Sequence, residues 1–495
     1  MTDITFTKGL VAFFVSLIFY PITLAIYNLY FHPLSSLPGP ILWRAFQFPY
    51  LSSLLSGRLP YAIQSLHSQY GPVVRVAPNE LSFIDPDAWK DIYSRKEFRR
   101  PPQWGSRPPG TEVHNLISAP VAEHTRFRRA LAPAFSSQAV KAQEPLITSY
   151  VDTLIQKLRM KVEGQSNETV VDFVSWINFT TFDIISDLGW GTSFRGLEHQ
   201  EYHPWITVIL QFKAILIGSS IGYYPLLNAL VPYVTPKSAL AGLNLVFGMA
   251  RENVQARLKM QTERPDVMSF MEKGDLTEEE IVSNSTVLIV AGSETLTTAL
   301  VGTMHHLLEN SDKLERLVKE VRGVFENEKD IDGQTTTKMT YLTAVLQEGM
   351  RLCPPIPDNL HREVPAPGAI IAGIWLPGGT AVGVPCYSMF RSDENFERAG
   401  EFIPERWLEG EGFVGDKKDV FHPFGVGPSG CMGQPLAWVE MRMILARLLW
   451  NFDFKIPEGR KLGRWTDQDI LWAWDKVPLN VGICLAARRK LEMLH

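Results

Sequence analysis

A glycine-rich segment near the C-terminal end reads Phe424-Gly425-Val426-Gly427-Pro428-Ser429-Gly430-Cys431-Met432-Gly433. Its glycines allow the backbone to approach something flat, and its cysteine lies just before a helix predicted from about Gln434 to Asn451. Backbone N–H groups and the positive end of the helix dipole favour a thiolate there over a thiol. A lone thiolate in such a loop suits an axial metal position. The alternative is a buried cysteine in an ordinary turn.

The composition is that of a large globular protein. The 495 residues include 48 Lys and Arg against 53 Asp and Glu, and this balance makes nucleic acid an unsuitable partner. A hydrophobic fraction of 45% suits one large compact body or two closely joined ones. None of the four cysteines belongs to a CxxC pair, which argues against a disulfide framework or structural zinc and favours a reducing compartment.

Helical patterns dominate the chain, and short strand patterns interrupt them. Thr277 and Glu280 form a capping box that opens a long apolar helix, which continues to about Leu308. Further predicted helices cover Glu144–Lys161, Val171–Leu188 and Thr340–Leu352, and extended segments cover Arg75–Asp85, Val364–Val384 and Asp469–Ala486. The sequence therefore predicts a mainly α fold with small β-sheets, of the α+β class.

A break in the long apolar helix carries the second motif, Ala291-Gly292-Ser293-Glu294-Thr295. Glycine costs about 1 kcal/mol relative to alanine inside a helix. The hydroxyl of Thr295 can donate back to the carbonyl of Ala291, which bends a helix. An acid and a hydroxyl at such a break could relay protons. The alternative is small-residue packing between helices, with Glu294 reaching solvent.

The third motif places an acid and a base three residues apart, at Glu348 and Arg351 in Glu348-Gly349-Met350-Arg351. On an exposed helix such a pair contributes only about 0.2–0.5 kcal/mol. Arg406, in Pro404-Glu405-Arg406-Trp407, offers a third charge. A buried carboxylate between two guanidinium groups would be a network that fixes the fold.

These motifs, in this order, resemble the motif set of the cytochrome P450 monooxygenases, and the similarity extends over essentially the whole chain. The family patterns are an acid–Thr pair after Ala/Gly-Gly, Glu-x-x-Arg, Pro-Glu-Arg-Trp and Phe-x-x-Gly-x-Arg-x-Cys-x-Gly. The resemblance implies a cytochrome P450-like fold and a haem b cofactor whose iron is bound by Cys431. The other residues it assigns are Glu294 and Thr295 for oxygen activation, Phe424, Gly427 and Gly433 for cofactor binding, and Glu348, Arg351 and Arg406 for the proximal core.

One position departs from the family pattern. Ser429 occupies the place where the family usually has Arg or His near a haem propionate. The resemblance offers replacements in His124 and Arg128, which match a Trp-x-x-x-Arg clamp with His in place of Trp, and in Arg362. These three residues are therefore predicted to bind the cofactor. The alternative for each is an ordinary surface charge.

The N-terminus is predicted to be a membrane anchor. Residues 9–31 are apolar and aromatic, without charge after Lys8, and long enough to cross a bilayer. The predicted domains are an uncleaved transmembrane anchor at 1–31, a proline-rich hinge at 32–40 and a haem-thiolate monooxygenase domain at 41–495. The resemblance places that domain on the cytosolic side of the endoplasmic reticulum. Three sequons, at Asn167, Asn178 and Asn284, are then chance occurrences.

The predicted partners follow from what the chain lacks. No G-x-G-x-x-G pattern follows a predicted strand, so electrons must come from a separate protein. The resemblance implies an NADPH–cytochrome P450 reductase, with cytochrome b5 as a further donor. Docking charges for that partner, or else merely solvated charges, are Arg126, Arg129, Lys417 and Lys418.

The resemblance also implies an apolar small-molecule substrate. The predicted pocket walls are Trp104–Ile117, Leu288–Ala291, Pro355–Leu360 and Leu471–Val477. The segment Glu112–Ile117 resembles fungal members that oxidise polyketide, terpenoid or peptide-derived secondary metabolites. Two alternatives stay open: a haem-thiolate isomerase, dehydratase or peroxygenase that needs no reductase, and a non-catalytic haem-binding protein.

Overall fold

A computed structural model of the chain describes residues 19–102, 105, 107, 111–163, 169–210, 217, 220–224, 233, 237–260 and 264–486. Its helices are α1 Ile41–Ala45, α2 Phe48–Leu55, α3 Leu59–Tyr70, α4 Asp87–Tyr93, α5 Val121–Leu131, α6 Ser137–Glu163, α7 Phe173–Trp190, α8 Gly196–His199, α9 Pro204–Ile209, α10 Lys237–Lys259, α11 Val267–Lys273, α12 Glu278–Glu309, α13 Ser311–Val324, α14 Thr340–Leu352, α15 Cys386–Phe390 and α16 Gln434–Asn451. The strands are β1 Val73–Ala77, β2 Glu80–Phe83, β3 Thr169–Asp172, β4 Arg362–Glu363, β5 Gly368–Ile371, β6 Ile374–Pro377, β7 Ala381–Gly383, β8 Phe452–Lys455 and β9 Asn480–Leu485.

Small sheets lie at the margins of a helical body, which confirms the predicted fold class. One sheet has the strand order β1-β2-β7-β4, a second has β3-β9-β8, and the third is the hairpin β5-β6. The extended segment predicted at Arg75–Asp85 forms the antiparallel pair of β1 and β2, whereas β2 and β7 run parallel. The pairing of β2 with β7 joins segments about 300 residues apart in the sequence, so this sheet depends on long-range contacts.

The long helix α12 lies in the core of the protein. Its capping box forms as predicted: the Thr277 hydroxyl accepts from the Glu280 N–H, and the Glu280 carboxylate accepts from the Thr277 N–H. It packs along α7, α10 and α14. Among the described residues only α12 is long and apolar enough to cross a membrane, but 67% of its most apolar window is buried inside the protein. It is therefore the core helix of the body.

The prediction of an extended tail from Asp469 to Ala486 is wrong in its first half. Only Asn480–Leu485 forms a strand. Before it, the indole of Trp474 is buried and donates to the carbonyl of Pro354 at 2.8 Å. Burial of this large side chain outweighs strand pairing, because it removes much apolar surface from water while its N–H keeps a partner.

The proline-rich segment 32–40 is non-helical and lies against the body. The Arg75 guanidinium donates to the carbonyls of Asn28, at 2.8 Å, and Leu34, at 3.3 Å. The backbone N–H of Arg75 donates to the carbonyl of Pro38 at 2.7 Å. A single buried arginine on β1 thus fixes the entry of the chain into the folded body.

The predicted anchor lies mostly outside the described residues, which begin at Phe19. Residues 19–31 are helical and carry exposed aromatic side chains, including Tyr30 and Phe31, both more than 70% exposed. The anchor itself stays a prediction.

The sequon asparagines that the structure describes are buried. Asn178 donates to the Tyr202 hydroxyl at 3.0 Å, and the Asn284 amide oxygen accepts from the Leu116 N–H at 2.8 Å. A glycan needs an accessible amide nitrogen, so burial supports their interpretation as chance occurrences. Asn167 lies outside the described residues.

The Glu348 carboxylate lies between two guanidinium groups, as the third motif predicts. Arg351 donates to it twice at 2.8 Å, and Arg406 donates once at 3.1 Å. All three side chains are fully buried. Burial raises the pKa of Glu348, but the two arginines outweigh burial and hold the pKa below its usual range. The solvated-pair alternative is therefore wrong.

Asp416 completes this network, and the sequence analysis missed it. Its carboxylate accepts from Arg406, and its side chain is also fully buried. The remaining Arg351 donors reach the carbonyls of Phe390, Ala399 and Glu401. Every buried charge here therefore has partners, which is the condition under which such a network stabilises a fold.

We expect Arg351→Ala to destabilise the fold by about 3–5 kcal/mol, because it leaves Glu348 buried with too little compensating charge. Denaturant unfolding and the yield of haem-loaded protein measure this loss. Arg464→Ala is the matched control, since Arg464 and Asp467 form an i,i+3 pair on the surface. An Arg351→Ala protein as stable as the Arg464→Ala protein would contradict the role assigned to the network.

Candidate cofactor and active site

The loop before α16 is closed by its own backbone. The N–H of Cys431 donates to the carbonyl of Phe424 at 2.8 Å, and the N–H of Gly430 donates to that of Gly427 at 3.0 Å. Gly427 has a φ of +69°. A Cβ at this position would lie 2.2 Å from the Tyr93 carbonyl oxygen, so only glycine allows the loop to pass the end of α4. Gly433 is different, because a Cβ there would make only ordinary contacts.

Cys431 is an exposed residue, yet many protein atoms lie around it. Burial raises the pKa of the Cys431 thiol, while backbone N–H groups of Gly433 and Gln434 and the charge of Arg128 lower it. The backbone N–H groups at the helix end lower the pKa as predicted, but burial outweighs them. Coordination to a cation deprotonates a thiol outright, and an iron ion would supply that charge.

Four basic residues gather beside this loop. Arg128 donates to the carbonyl of Gly430 at 2.7 Å. Arg362 is buried, donates to the carbonyls of Leu360 and His361, and lies over the ring of Tyr93. The other two are His124 and Arg100.

The charges of this basic group act on one another. Burial, with Arg100, Arg128 and Arg362, lowers the pKa of His124 to about 4. Burial and Arg362 lower the pKa of Arg100 to about 9. Among the described residues, these arginines form no ion pair with a carboxylate. A concentration of unbalanced cations beside an accessible cysteine fits an anionic cofactor with carboxylate arms.

Arg100 is the site residue that the sequence analysis missed. It follows Arg99, whose carbonyl accepts from the Glu363 N–H at 2.7 Å. Successive side chains of an extended chain point to opposite sides, so Arg99 is exposed and Arg100 turns towards Arg362. The sequence feature that could have indicated it is the pair Arg99-Arg100 before Pro101-Pro102, because one of two successive side chains in an extended segment faces inward.

One face of α12 keeps accessible surface although most of the helix is buried. Leu288, Ala291, Gly292 and Thr295 lie on it, three or four residues apart. The Thr295 hydroxyl donates to the Ala291 carbonyl at 2.7 Å, as predicted. A Cβ on Gly292 would lie 2.7 Å from a side-chain carbon of Ile185, so packing against α7 explains this glycine. Small-residue packing, the alternative considered for this motif, therefore applies to Gly292.

Glu294 does not reach solvent, contrary to the alternative considered for it. Its carboxylate accepts from the Lys476 ammonium, which also donates to the Thr298 hydroxyl at 3.2 Å. Both charged side chains are buried. Burial raises the pKa of Glu294, and Lys476 opposes the rise. The structure thus ties the predicted proton carrier to the C-terminal tail.

The predicted docking charges separate into two kinds. Arg126 is bound to the Glu280 carboxylate and to the carbonyl of Asp275. It therefore fastens α5 to the start of α12 and is a structural residue. Arg129, Lys417 and Lys418 are exposed.

The predicted pocket walls are only partly described. Trp104 and residues 106 and 108–110 of the first wall lie outside the described residues. Within the walls, Ile117 and Leu360 keep more than a third of their surface exposed, and Val477 is 62% exposed. Apolar surface is thus available in three of the predicted wall segments.

The fold and the site define a haem-thiolate protein: an accessible cysteine at the start of a helix, a gathering of cations for the carboxylates, and a partly open face on a long apolar helix. The cytochrome P450 family model matches residues 33–477, so the chain belongs to the cytochrome P450 family and has its fold. Members bind haem b through a cysteine thiolate. The enzyme class is that of the cytochrome P450 monooxygenases.

Related fungal enzymes align over nearly the whole chain. Cytochrome P450 monooxygenase atr2 of Stereocaulon alpinum is 38% identical over 472 residues, 93% of this chain and 92% of that protein. Cytochrome P450 monooxygenase stcF of Emericella nidulans is 40% identical over 480 residues, 94% and 97% respectively. Averantin hydroxylase of Dothistroma septosporum is 39% identical over 491 residues, 96% and 91% respectively.

We expect Gly427→Ala to lower haem content, because its Cβ would collide with the backbone of Tyr93 and its φ is strained for alanine. The absorbance of haem relative to protein measures the loss. Gly415→Ala is the control, since no atom lies within 4 Å of the Cβ added there. Equal haem content in the two variants would show that the close approach does not matter.

We expect Lys476→Met to destabilise the protein by about 3–5 kcal/mol, because Glu294 is left buried and unpaired. Since burial raises the pKa of Glu294, the penalty should grow as the pH rises from the usual carboxyl range through the raised value. The double variant Glu294→Gln/Lys476→Met should lose less and show no such pH dependence. Urea unfolding at several pH values measures both, and equal losses at every pH would contradict the ion pair's importance.

Proposed function

We propose that this enzyme hydroxylates or otherwise oxidises an apolar small molecule of fungal secondary metabolism, of polyketide, terpenoid or peptide-derived origin. Electrons come from an NADPH–cytochrome P450 reductase, with cytochrome b5 as a further donor. The observation that carries the proposal is the accessible Cys431 beside four basic groups. The substrate class rests on the apolar surface of the wall segments and on the similarity to averantin hydroxylase and the other fungal monooxygenases.

The protein's own residues hold and orient the cofactor. Cys431 would bind the iron, while Arg100, Arg128 and Arg362 would neutralise the haem carboxylates and the uncharged His124 imidazole would hydrogen-bond to them. The uncharged Ser429 cannot form such an ion pair. When bound through a thiolate, haem supplies the activation of dioxygen. The protein supplies the position of the cofactor and the charges that balance it.

Proton delivery falls to α12. The Thr295 hydroxyl lies on the accessible face and is held by the Ala291 carbonyl, so rotation about its side chain can redirect its proton into the pocket. Glu294 is one residue away on a buried face, where Lys476 holds its charge. In this proposal Thr295 donates the proton directly, and the charge of Glu294, one residue away, influences the electrostatic environment of that hydroxyl.

The location belongs to the same proposal. Residues 1–31 anchor the chain in the endoplasmic reticulum membrane as a single span, residues 32–40 form the hinge, and residues 41–495 form the cytosolic catalytic domain. Exposed apolar side chains support it, since Ile41, Leu42 and Phe48 follow the hinge and remain at least 64% exposed. The exposed Arg129, Lys417 and Lys418 offer positive charge to an acidic reductase surface.

Reconstitution with reductase, NADPH and a panel of apolar polyketide, terpenoid and peptide-derived scaffolds tests the reaction. Oxygen-dependent product formation supports the proposal. Product without reductant would instead indicate an isomerase, dehydratase or peroxygenase, and no turnover with any scaffold would favour a non-catalytic haem protein.

We expect Cys431→Ser to abolish the red-shifted absorbance of the reduced carbon monoxide complex, because oxygen then replaces sulfur at the iron. Thr295→Ala should keep this band but divert electrons to peroxide, which a peroxide assay during NADPH consumption measures. Thr297→Ala, also on α12 but buried, is the comparison for a hydroxyl away from the accessible face. Unchanged coupling in Thr295→Ala would remove its proposed role.

A further inference from the structure

The last turn of α12 carries three potential metal ligands outside the haem site. His305, His306 and Glu309 each offer one nitrogen or oxygen atom, and these atoms lie within 4.8 Å of one another. The glutamate follows the two histidines by four and three residues, so all three side chains meet on one side of the helix. Neither the haem-binding residues nor the α12 face near Thr295 includes them.

The distances between these atoms suit a metal ion. Glu309 Oε2 lies 3.4 Å from His305 Nε2 and 3.1 Å from His306 Nδ1. Ligand bonds of about 2.0–2.1 Å in tetrahedral geometry place neighbouring ligand atoms about 3.3 Å apart. Both measured edges are close to this spacing before any ion is added.

Neighbouring aromatic rings hold both imidazoles in place. The ring of His306 stacks on Phe402 with centroids 5.4 Å apart, and the ring of His305 lies 5.5 Å from that of Trp465. Ligands held by packing lose little freedom on binding, which favours an ordered site. Both histidines are buried, whereas Glu309 is 38% exposed and leaves an opening for an ion and for water.

The hydrogen bonding of this cluster is incomplete. His305 Nε2, like His306 Nε2, is buried without a partner of good hydrogen-bond geometry among the described residues, although Glu309 Oε2 lies 3.4 Å from it. A buried imidazole nitrogen without a partner costs free energy. A cation would satisfy this nitrogen, and it would also lie at the negative end of the α12 dipole.

We propose that His305, His306 and Glu309 bind one divalent transition-metal ion, with Zn²⁺ as the fitting ion. Imidazole and carboxylate ligands suit zinc, and water completes the coordination. The site would brace the C-terminal turn of α12 against the Trp465 segment and would operate independently of haem.

Equilibrium dialysis of the tag-free, haem-loaded full chain against Zn²⁺, followed by metal analysis, tests the proposal. We expect about one zinc ion per haem, and at least a tenfold weaker Kd in Glu309→Gln and in His305→Ala, since even indirect partners of a metal alter affinity about 10–100-fold. His199→Ala, which removes an exposed histidine elsewhere, should bind like the unmodified protein. The carbon monoxide band shows that each variant is folded.

X-ray absorption at the zinc edge then identifies the ligands. Nitrogen and oxygen neighbours at about 2.0–2.1 Å support the site, whereas sulfur at about 2.3 Å would place zinc on a cysteine and overturn it. Failure to retain zinc, or equal Kd values in Glu309→Gln and the unmodified protein, would show that the cluster is a hydrogen-bonded helix end only. Because Glu309 is partly exposed, the Glu309→Gln variant tests metal binding without removing a core side chain.

Discussion

The buried carboxylate of Glu348 joins α14 to the segment that leads into the cysteine loop. Besides two arginines it accepts from the Trp407 indole at 3.0 Å and from the Ile403 N–H at 2.8 Å. Trp407 in turn packs against Phe421, with ring centroids 4.7 Å apart, and Phe421 lies just before the cysteine loop. A charge that could not remain buried alone therefore fixes the approach of the chain to the iron-binding position.

The basic residues near the cysteine, unlike those around Glu348, have no acidic partners in the described part of the protein. Around Glu348 every charge is balanced inside the protein, whereas Arg100, Arg128 and Arg362 stand together without a carboxylate among the described residues. Bringing like charges together costs free energy, and an anionic cofactor offsets this cost when it binds. Stability and cofactor affinity are thus assigned to two separate sets of arginines, one neutralised by the fold and one kept for the ligand.

Local patterns predicted the helices and the motif residues well. The helices at Thr340–Leu352 and Gln434–Asn451 begin and end where prolines and apolar periodicity predict. The same patterns failed between Asp469 and Leu479, where burial of Trp474 replaces strand pairing. Sequence periodicity describes a residue's own segment, but it carries no information about which distant segment removes that residue from water.

The cysteine loop, the acid–hydroxyl break in the long helix and the charged motif near Arg351 are visible in the amino-acid sequence, because each depends on residues adjacent along the chain. The partners of these residues depend on how the chain folds. Lys476 meets Glu294 across 182 residues, and Arg100 joins Arg362 through the pairing of Arg99 with Glu363. Burial and electrostatic attraction act between residues near in space, so their partners become known only once the chain has folded.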